Sequence, residues 1–345
     1  MIEHPRFRPA AIHRVLSDAL AREGVPPDVR EIEAELMTEA ELHGVPSHGM
    51  LMLPRLIAGF RNGRATPDPD VRVIREAAAT CVLDGDRGPG RYVGVQAMRA
   101  AIERARRFGV GACLAMNTTH WGRAHAYACL AAREGLIGLC TTNAIPNMLA
   151  PGSSRPVLGN NPLAIAAPRG AGGHPIVLDL AMSQAAFGRV ATEAREGRSV
   201  PGGWGLDAAG NEADDPAAIL ASHNLLPMGG HKGAGLAVMM ELLTGALGGG
   251  LLSYEIGQAD PSGLDEGASK FFLAIDVGAF GGRTRFEQRV EDLLSYLHDA
   301  ESGHEVSSPG ERGWRTRADY ERDGIPVHPD VVAALREIGV ELPRG

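Results

Sequence analysis

Asn117-Thr118-Thr119-His120-Trp121-Gly122 is the stretch around which the whole chain is read. It closes a strand-like run, Val110 to Met116, and leads into a helix-like run, Ala124 to Arg133. A histidine between a strand end and a helix start occupies the position where open α/β folds collect ligands. Two further polar clusters are bounded by glycine: Pro46-Ser47-His48-Gly49 and Gly229-Gly230-His231-Lys232-Gly233. An imidazole beside a hydroxyl can exchange a proton near neutral pH. A lysine among glycines at a helix start offers charge and backbone N–H groups to an anion. Together the three stretches suggest proton transfer beside a bound anionic cofactor, the arrangement a hydride-transfer enzyme needs.

Composition narrows the field. The chain has 345 residues, 44% hydrophobic, enough for a full core in two domains or one large elaborated one. A net charge of -8 and 5% aromatic residues argue against a nucleic-acid partner, whose footprint would be basic and rich in stacking rings. Cys81, Cys113, Cys129 and Cys140 each lie in apolar runs without a C-x-x-C pair, which predicts buried reduced thiols. The polar, proline-bearing start does not resemble a signal peptide, and no apolar run reaches the ~18 residues of a membrane span. The expectation is a soluble cytoplasmic protein acting on a small molecule.

Along the chain, apolar spacing predicts helices over Pro9 to Glu23, Asp28 to Leu42 and Leu51 to Phe60, with His43 to Gly49 as a loop. Gly63 to Pro69 reads as a linker. Strands are predicted over Val71 to Ile74, Thr80 to Leu83, Leu136 to Thr142, Leu163 to Ala167, Pro175 to Leu180 and Phe271 to Val277. Helices are predicted over Val93 to Phe108, Lys232 to Leu247 and Thr284 to Glu301; the second has almost no polar face and is expected to be buried. Gly202 to Pro216 reads as an irregular loop, and the tail from Pro309 is charged and short of core residues until Val331 to Ile338.

Several motifs have plainer readings. Gly88-Pro89-Gly90 and Gly94 give a G-x-G-x-x-x-G spacing, but Asp84, Asp86 and Arg87 crowd the turn and no acid follows for a ribose. An ordinary strand-to-helix turn is favoured over a Rossmann fingerprint. Gly233 after Lys232 excludes a Walker loop, and no G-x-S-x-G elbow exists for Ser47. His43 and His48 are five apart, as are His120 and His125, so the spacing of four that pairs ligands on a helix face is absent and no metal is expected.

The chain resembles the malate/L-lactate dehydrogenase family of the non-Rossmann type, which includes ureidoglycolate, sulfolactate and diketogulonate dehydrogenases and cyclic imino-acid reductases. The matching pieces are Ser47-His48-Gly49, Asn117 to Gly122, Gly159-Asn160-Asn161-Pro162-Leu163-Ala164-Ile165-Ala166, Val177 to Ala181, Gly203-Trp204-Gly205, Leu226 to Gly235 and Pro309-Gly310-Glu311. They run in family order over nearly the whole chain. The resemblance implies an α/β fold: a helical domain (1–66 and 305–345) and a non-Rossmann NAD(P)-binding domain (67–304) on a largely antiparallel mixed sheet. It also implies a homodimer using NAD or NADP, with His48 as proton donor, Ser47 beside it and His120 as the second choice. His120, Trp121, Gly122, Arg123, Ala124, Leu178, Asp179, Leu180, His231 and Lys232 would line the cofactor, with Pro309, Gly310, Glu311 and Arg312 nearby.

The substrate side departs from the family. Met52 stands where an arginine usually holds the substrate carboxylate, Asn160 where threonine is common, and Arg189 where lysine or aspartate is usual. Arg55, one turn beyond Met52, is the nearest replacement cation. The implied activity is hydride transfer to or from a small 2-oxo, 2-hydroxy or cyclic imino acid. The alternative is a nicotinamide-binding protein with lost or altered catalysis; retention of Ser47, His48 and Lys232 favours the enzyme.

Overall fold

Prolines open the first three long helices at positions whose N–H would be unpaired anyway. The computed structural model describes residues 4–170, 172–259, 267–300 and 306–343. It begins with β1 (Arg6–Phe7), α1 (Pro9–Arg22), α2 (Pro27–Leu42) and α3 (Leu53–Arg61). Next come β2 (Arg72–Glu76), β3 (Thr80–Gly88), α4 (Gly90–Phe108), β4 (Val110–Thr118), α5 (His125–Arg133), β5 (Leu136–Thr142), β6 (Leu163–Ala167) and β7 (Ile176–Leu180). Then follow α6 (Phe187–Arg195), β8 (Gly205–Leu206), α7 (Pro216–Ser222), β9 (Asn224–Leu225), α8 (His231–Glu241), α9 (Ser253–Ala259) and β10 (Lys270–Asp276). The chain closes with α10 (Arg283–His298), α11 (Glu311–Asp323), β11 (Ile325–Pro326) and α12 (Pro329–Glu337).

The main sheet has the order β2-β3-β4-β10-β5-β6-β7. Only β3 and β4 run parallel, joined by α4; the other neighbouring pairs are antiparallel. This is the largely antiparallel α/β sheet that the family resemblance implied. Gly88 to Gly94 is a packing turn: a Cβ on Gly90 would lie 2.6 Å from the His120 carbonyl carbon, and one on Gly94 would lie 2.7 Å from the Tyr127 ring. The glycines let α4 press against the loop that carries His120.

One core fills the space between α4, α5 and the sheet, with Tyr127, Phe272 and Trp121 at its centre. A second is built by residues 7–57 together with 325–342, and a third by Met148, Met182, Val190, Leu225 and Met240 among others. All four cysteines are buried and free. No helix among the described residues is long and apolar enough to cross a membrane.

Several expectations need correction. α3 starts at Leu53, after 3-10 turns at Pro46–His48 and Met50–Met52. β3 runs on to Gly88, and α4 begins at Gly90 rather than Val93. Gly202 to Pro216 is not wholly irregular, because β8 pairs with β9 and Pro216 opens α7. α11 has a single buried residue, Trp314, and so no apolar stripe to read; the ion pairs Arg315–Glu311 and Arg317–Glu321 support it instead. α8 is not buried all round: Leu236, Met239, Leu242 and Leu247 are exposed along it and the π-turn that continues it. The C-terminal end expected for α10 (Glu301) and the boundary at 304–305 lie outside the described residues.

The helical segments and the sheet are clasped by one buried ion pair. Arg91, at the start of α4, donates to Glu33 of α2 at 3.1 Å, and the Tyr92 N–H donates to the same carboxylate at 3.0 Å. Both side chains of the pair are almost fully buried, and burial raises the Glu33 pKa. Removing one partner of such a pair leaves a bare charge in the interior. Arg91→Met is therefore expected to lower the unfolding free energy by ~3–5 kcal/mol, with Arg91→Met/Glu33→Gln recovering part of it. Urea denaturation of the three proteins checks this; an unchanged midpoint in Arg91→Met would refute it.

Candidate active site

The loop after α2 is shaped by a buried acid. Glu41 accepts the Met50 N–H at 2.8 Å, and a Cβ on Gly49 would collide with its carboxylate. This holds Pro46–His48 in a tight turn with Ser47 Oγ 2.9 Å from His48 Nδ1. α6 closes the other side: a Cβ on Gly188 would lie 2.6 Å from Ser47 Oγ and 3.7 Å from His48 Cε1. A second guanidinium N–H of Arg91 donates to the His48 carbonyl at 2.9 Å.

His120 comes from the far side, on the loop after β4, with its ring centroid 5.7 Å from that of His48. Its Nδ1 accepts the Gly122 N–H at 3.0 Å, so the neutral ring carries its proton on Nε2. Gly122 has φ +75°, and a Cβ there would lie 2.7 Å from Arg91 Nε. Arg91 thus lies between the two histidine-bearing loops.

Both rings are kept neutral. Burial depresses His48 to about 4, helped by Arg91 and Arg123 and opposed by Asp179. Burial also holds His120 well below the usual histidine range, with His48, Arg91, Lys270 and Arg55 adding to the effect. The imidazoles therefore face cations from several directions. Such a site suits an anionic ligand, whose charge would offset the cations and ease protonation of a ring.

The remaining residues singled out in the sequence divide by position. Arg123 is ion-paired to Asp179 at 2.8 Å, which brings the His120 loop onto β7. Trp121 stacks on Tyr127, which donates to its carbonyl, and both Trp121 and Ala124 are core residues. On β7, Leu178 is exposed and Leu180 packs against the third core. Beyond Leu180 the chain bonds to the residues that lead into α8: Met228 N–H donates to the Met182 carbonyl at 2.8 Å and Gln184 N–H to that of Leu226 at 2.7 Å. One segment, 179–188, therefore links Arg123, the start of α8 and Ser47. His231 and Lys232 are exposed there, behind Gly230, which supplies no side-chain cap.

On the substrate side, Met52 is 8% exposed, and Arg55 is exposed with no ion pair among the described residues. Arg189 instead turns to Glu193 at 2.6 Å. Asn160 is used through its backbone, its N–H donating to Asn147 Oδ1 at 2.9 Å. Pro309 accepts the Val177 N–H at 3.2 Å, Gly310 has φ +90° against Val177, and Glu311 caps Ser308. Arg312 is exposed. Sequence reasoning missed Arg91, Glu41, Gly188 and the buried Lys270, whose ammonium donates to the Ala268 carbonyl at 2.9 Å. Arg91 had a faint signal, a charge inside the glycine turn Gly88 to Gly94; the others had none.

The family described as malate/L-lactate dehydrogenase matches residues 7–336. The chain is 34% identical over 341 residues to the L-sulfolactate dehydrogenase of Methanocaldococcus jannaschii, covering 97% of each chain. It is 35% identical over 326 residues to the Delta(1)-pyrroline-2-carboxylate/Delta(1)-piperideine-2-carboxylate reductase of Pseudomonas syringae, covering 91% of each. The crystal structure of a malate dehydrogenase from Entamoeba histolytica superposes with TM-score 0.93 at 28% identity over 98% of both chains.

Glu41 makes this site sensitive to pH in a definite direction. Burial raises its carboxyl from the ordinary 4.5 to about 8, against the Met50 hydrogen bond and Arg195. A raised pKa in the folded state gives stability that is complete below the unfolded value and is lost as pH rises through the folded one. The contribution of Glu41 to stability is therefore expected to fall from about pH 4.5 to about 8, so that the difference in stability between wild type and Glu41→Gln changes across that window. Thermal melts of both proteins across this range test it; parallel Tm–pH curves would rule it out.

Proposed function

Because the chain belongs to the malate/L-lactate dehydrogenase family and is an oxidoreductase, we propose that it moves hydride between NAD(P) and a small 2-oxo, 2-hydroxy or cyclic imino acid. The observation that carries the reading is the Ser47–His48 pair facing His120 across a cation-lined site. Residues present also fit a dinucleotide. The uncapped start of α8, with exposed His231 and Lys232, suits a pyrophosphate, and the Arg123–Asp179 pair is close enough to His48 to act on its charge. When bound, the nicotinamide supplies or accepts the hydride.

His48 handles the proton. Neutral in the free protein, it can take the hydroxyl proton of a 2-hydroxy acid, with Ser47 Oγ fixing the ring through Nδ1. In reduction it must deliver a proton, so its proton affinity has to rise when an anionic substrate enters, as a nearby negative charge requires. His120, with its proton on Nε2, can donate a hydrogen bond to the substrate oxygen. Arg55, exposed and with no ion pair among the described residues, is a cation that can meet the carboxylate Met52 cannot bind.

His48→Ala should lower kcat by ~10²–10⁴-fold while dinucleotide still binds, and Lys232→Ala should weaken the dinucleotide Kd more than it slows turnover. Turnover with 2-oxo and cyclic imino acids plus NADH and NADPH titrations decide this. Full activity in His48→Ala moves the proton role to His120. A wild type that binds dinucleotide but reduces nothing on the panel favours a binding protein.

We further expect weak activity on malate, lactate, pyruvate and oxaloacetate, since methionine makes neither charge-assisted bond of an arginine. Met52→Arg should raise kcat/KM for a small 2-oxo acid. Efficient wild-type reduction of pyruvate or oxaloacetate would show that Met52 is no specificity change.

The exposed stripe Leu236, Met239, Leu242 and Leu247 supports a homodimer, because an apolar helix face of this kind gains from cover. Sedimentation at micromolar concentration should give a dimer that Met239→Glu disrupts; a 36.3 kDa species for wild type excludes it.

A further inference from the structure

Away from His48, a second polar cluster lies sealed between α2, α5 and α11. Glu39 lies in the last turn of α2, His43 caps that helix four residues on, and His125 opens α5. The His125 Nδ1 atom is 3.2 Å from Glu39 Oε1, and His43 Nε2 is 3.8 Å from the same oxygen. Trp314 of α11 covers both rings, its centroid 4.7 Å from His43 and 5.3 Å from His125. The three side chains are at most 9% exposed.

Their hydrogen bonding does not close. Apart from the His125–Glu39 contact, both ring nitrogens of His43 and the second carboxylate oxygen of Glu39 are buried with no hydrogen-bond partner among the described residues. A Glu39–His125 contact alone would leave His43, which always carries at least one N–H, with nothing to bind. Each such orphan costs about 1–3 kcal/mol, so a cluster of them calls for an occupant. The geometry suggests which one. One ligand atom from each of the three residues lies within 4.8 Å of the others. Bonds of about 2.0–2.1 Å to nitrogen and oxygen around a tetrahedral ion set ligand separations near ~3.4 Å, so small side-chain shifts suffice.

We propose that Glu39, His43 and His125 form a site for a divalent transition-metal ion of the zinc class. Two imidazoles and one carboxylate are a common ligand set for such an ion. A supporting contact is present: the other nitrogen of His125 lies 3.6 Å from Cys129 Sγ, which fixes the ring while Nδ1 faces the cluster. A cavity of about 550 Å³, lined in part by Glu35, Glu39, Arg133, His174 and Trp314, borders the cluster on its outer side.

The nearby cations do not exclude an ion. Arg123 is neutralised by Asp179 and Arg317 by Glu321. Arg133, 3.9 Å from Glu39, is 47% exposed and can swing into solvent. An ion here would tie α2 to the helix that follows the His120 loop, and so act as a positioning clamp outside the reaction itself. The proposal does not depend on the reaction proposed above.

Cobalt(II) is the probe, since its visible d–d bands report coordination directly. After dialysis against Co²⁺, wild type should retain one ion per chain, with intense tetrahedral-type absorption and a Tm that falls when a chelator is added. His43→Gln and His125→Gln should weaken retention by at least ~10-fold. Glu39→Gln serves if either fails to fold. His328→Gln, in the separate half-buried group His4–Glu196–His328, should leave the bands unchanged. No retained Co²⁺ or Zn²⁺ in wild type, bands that survive in the cluster variants, or loss only in His328→Gln would each overturn the assignment. A thiolate charge-transfer band would also overturn it, placing the ion on Cys129.

Discussion

A single guanidinium holds the reacting parts of this molecule in register. Arg91 neutralises Glu33 on α2, hydrogen-bonds the backbone of His48, and fills the space that Gly122 leaves open. Three segments far apart in sequence therefore depend on one buried charge. A buried ion pair contributes little net stability against an apolar substitute, but breaking it is costly, so its effect is to specify one arrangement. Here that arrangement sets His48 opposite His120.

The site is built by close approach more than by cavity walls. Gly49 admits Glu41 beneath the Ser47 turn, Gly188 admits α6 above it, and Gly90 and Gly94 admit α4 against the opposite loop. A Cβ at any of these positions would collide with Glu41, Ser47, Tyr127 or the His120 backbone, so glycine is what permits the close packing around both histidines. The resulting enclosure, with arginines and Lys270 around it, explains why both imidazoles are neutral at physiological pH. Neutral rings among cations pose the same electrostatic problem at the second cluster, Glu39–His43–His125, where a carboxylate supplies the charge an ion would need.

Sequence periodicity and punctuation determined most local elements. Proline at helix starts, glycine at helix ends and alternating apolar strands act through neighbours a few residues away, so β5, β6 and most of α1, α2 and α4 could be read directly. Short motifs also exposed Ser47, His48, His120 and Lys232, because reactive side chains flanked by glycine stand out in any sequence. The helices α6 and α11 could not be read, because α6 spans only nine residues and α11 buries a single one, Trp314.

Tertiary structure alone decided what those residues meet. β10, from residue 270 onward, inserts between β4 and β5, and strand pairing over such separations depends on the whole core. Nothing local marks Arg91 as the partner of Glu33, Gly188 as the neighbour of Ser47, or Lys270 as a charge near His120. His43 and His125 illustrate the same limit. Their spacing from other histidines ruled out a shared helix face, yet folding brings them to one carboxylate. The sequence determines which groups can react; the packing of distant segments decides which are close enough to do so.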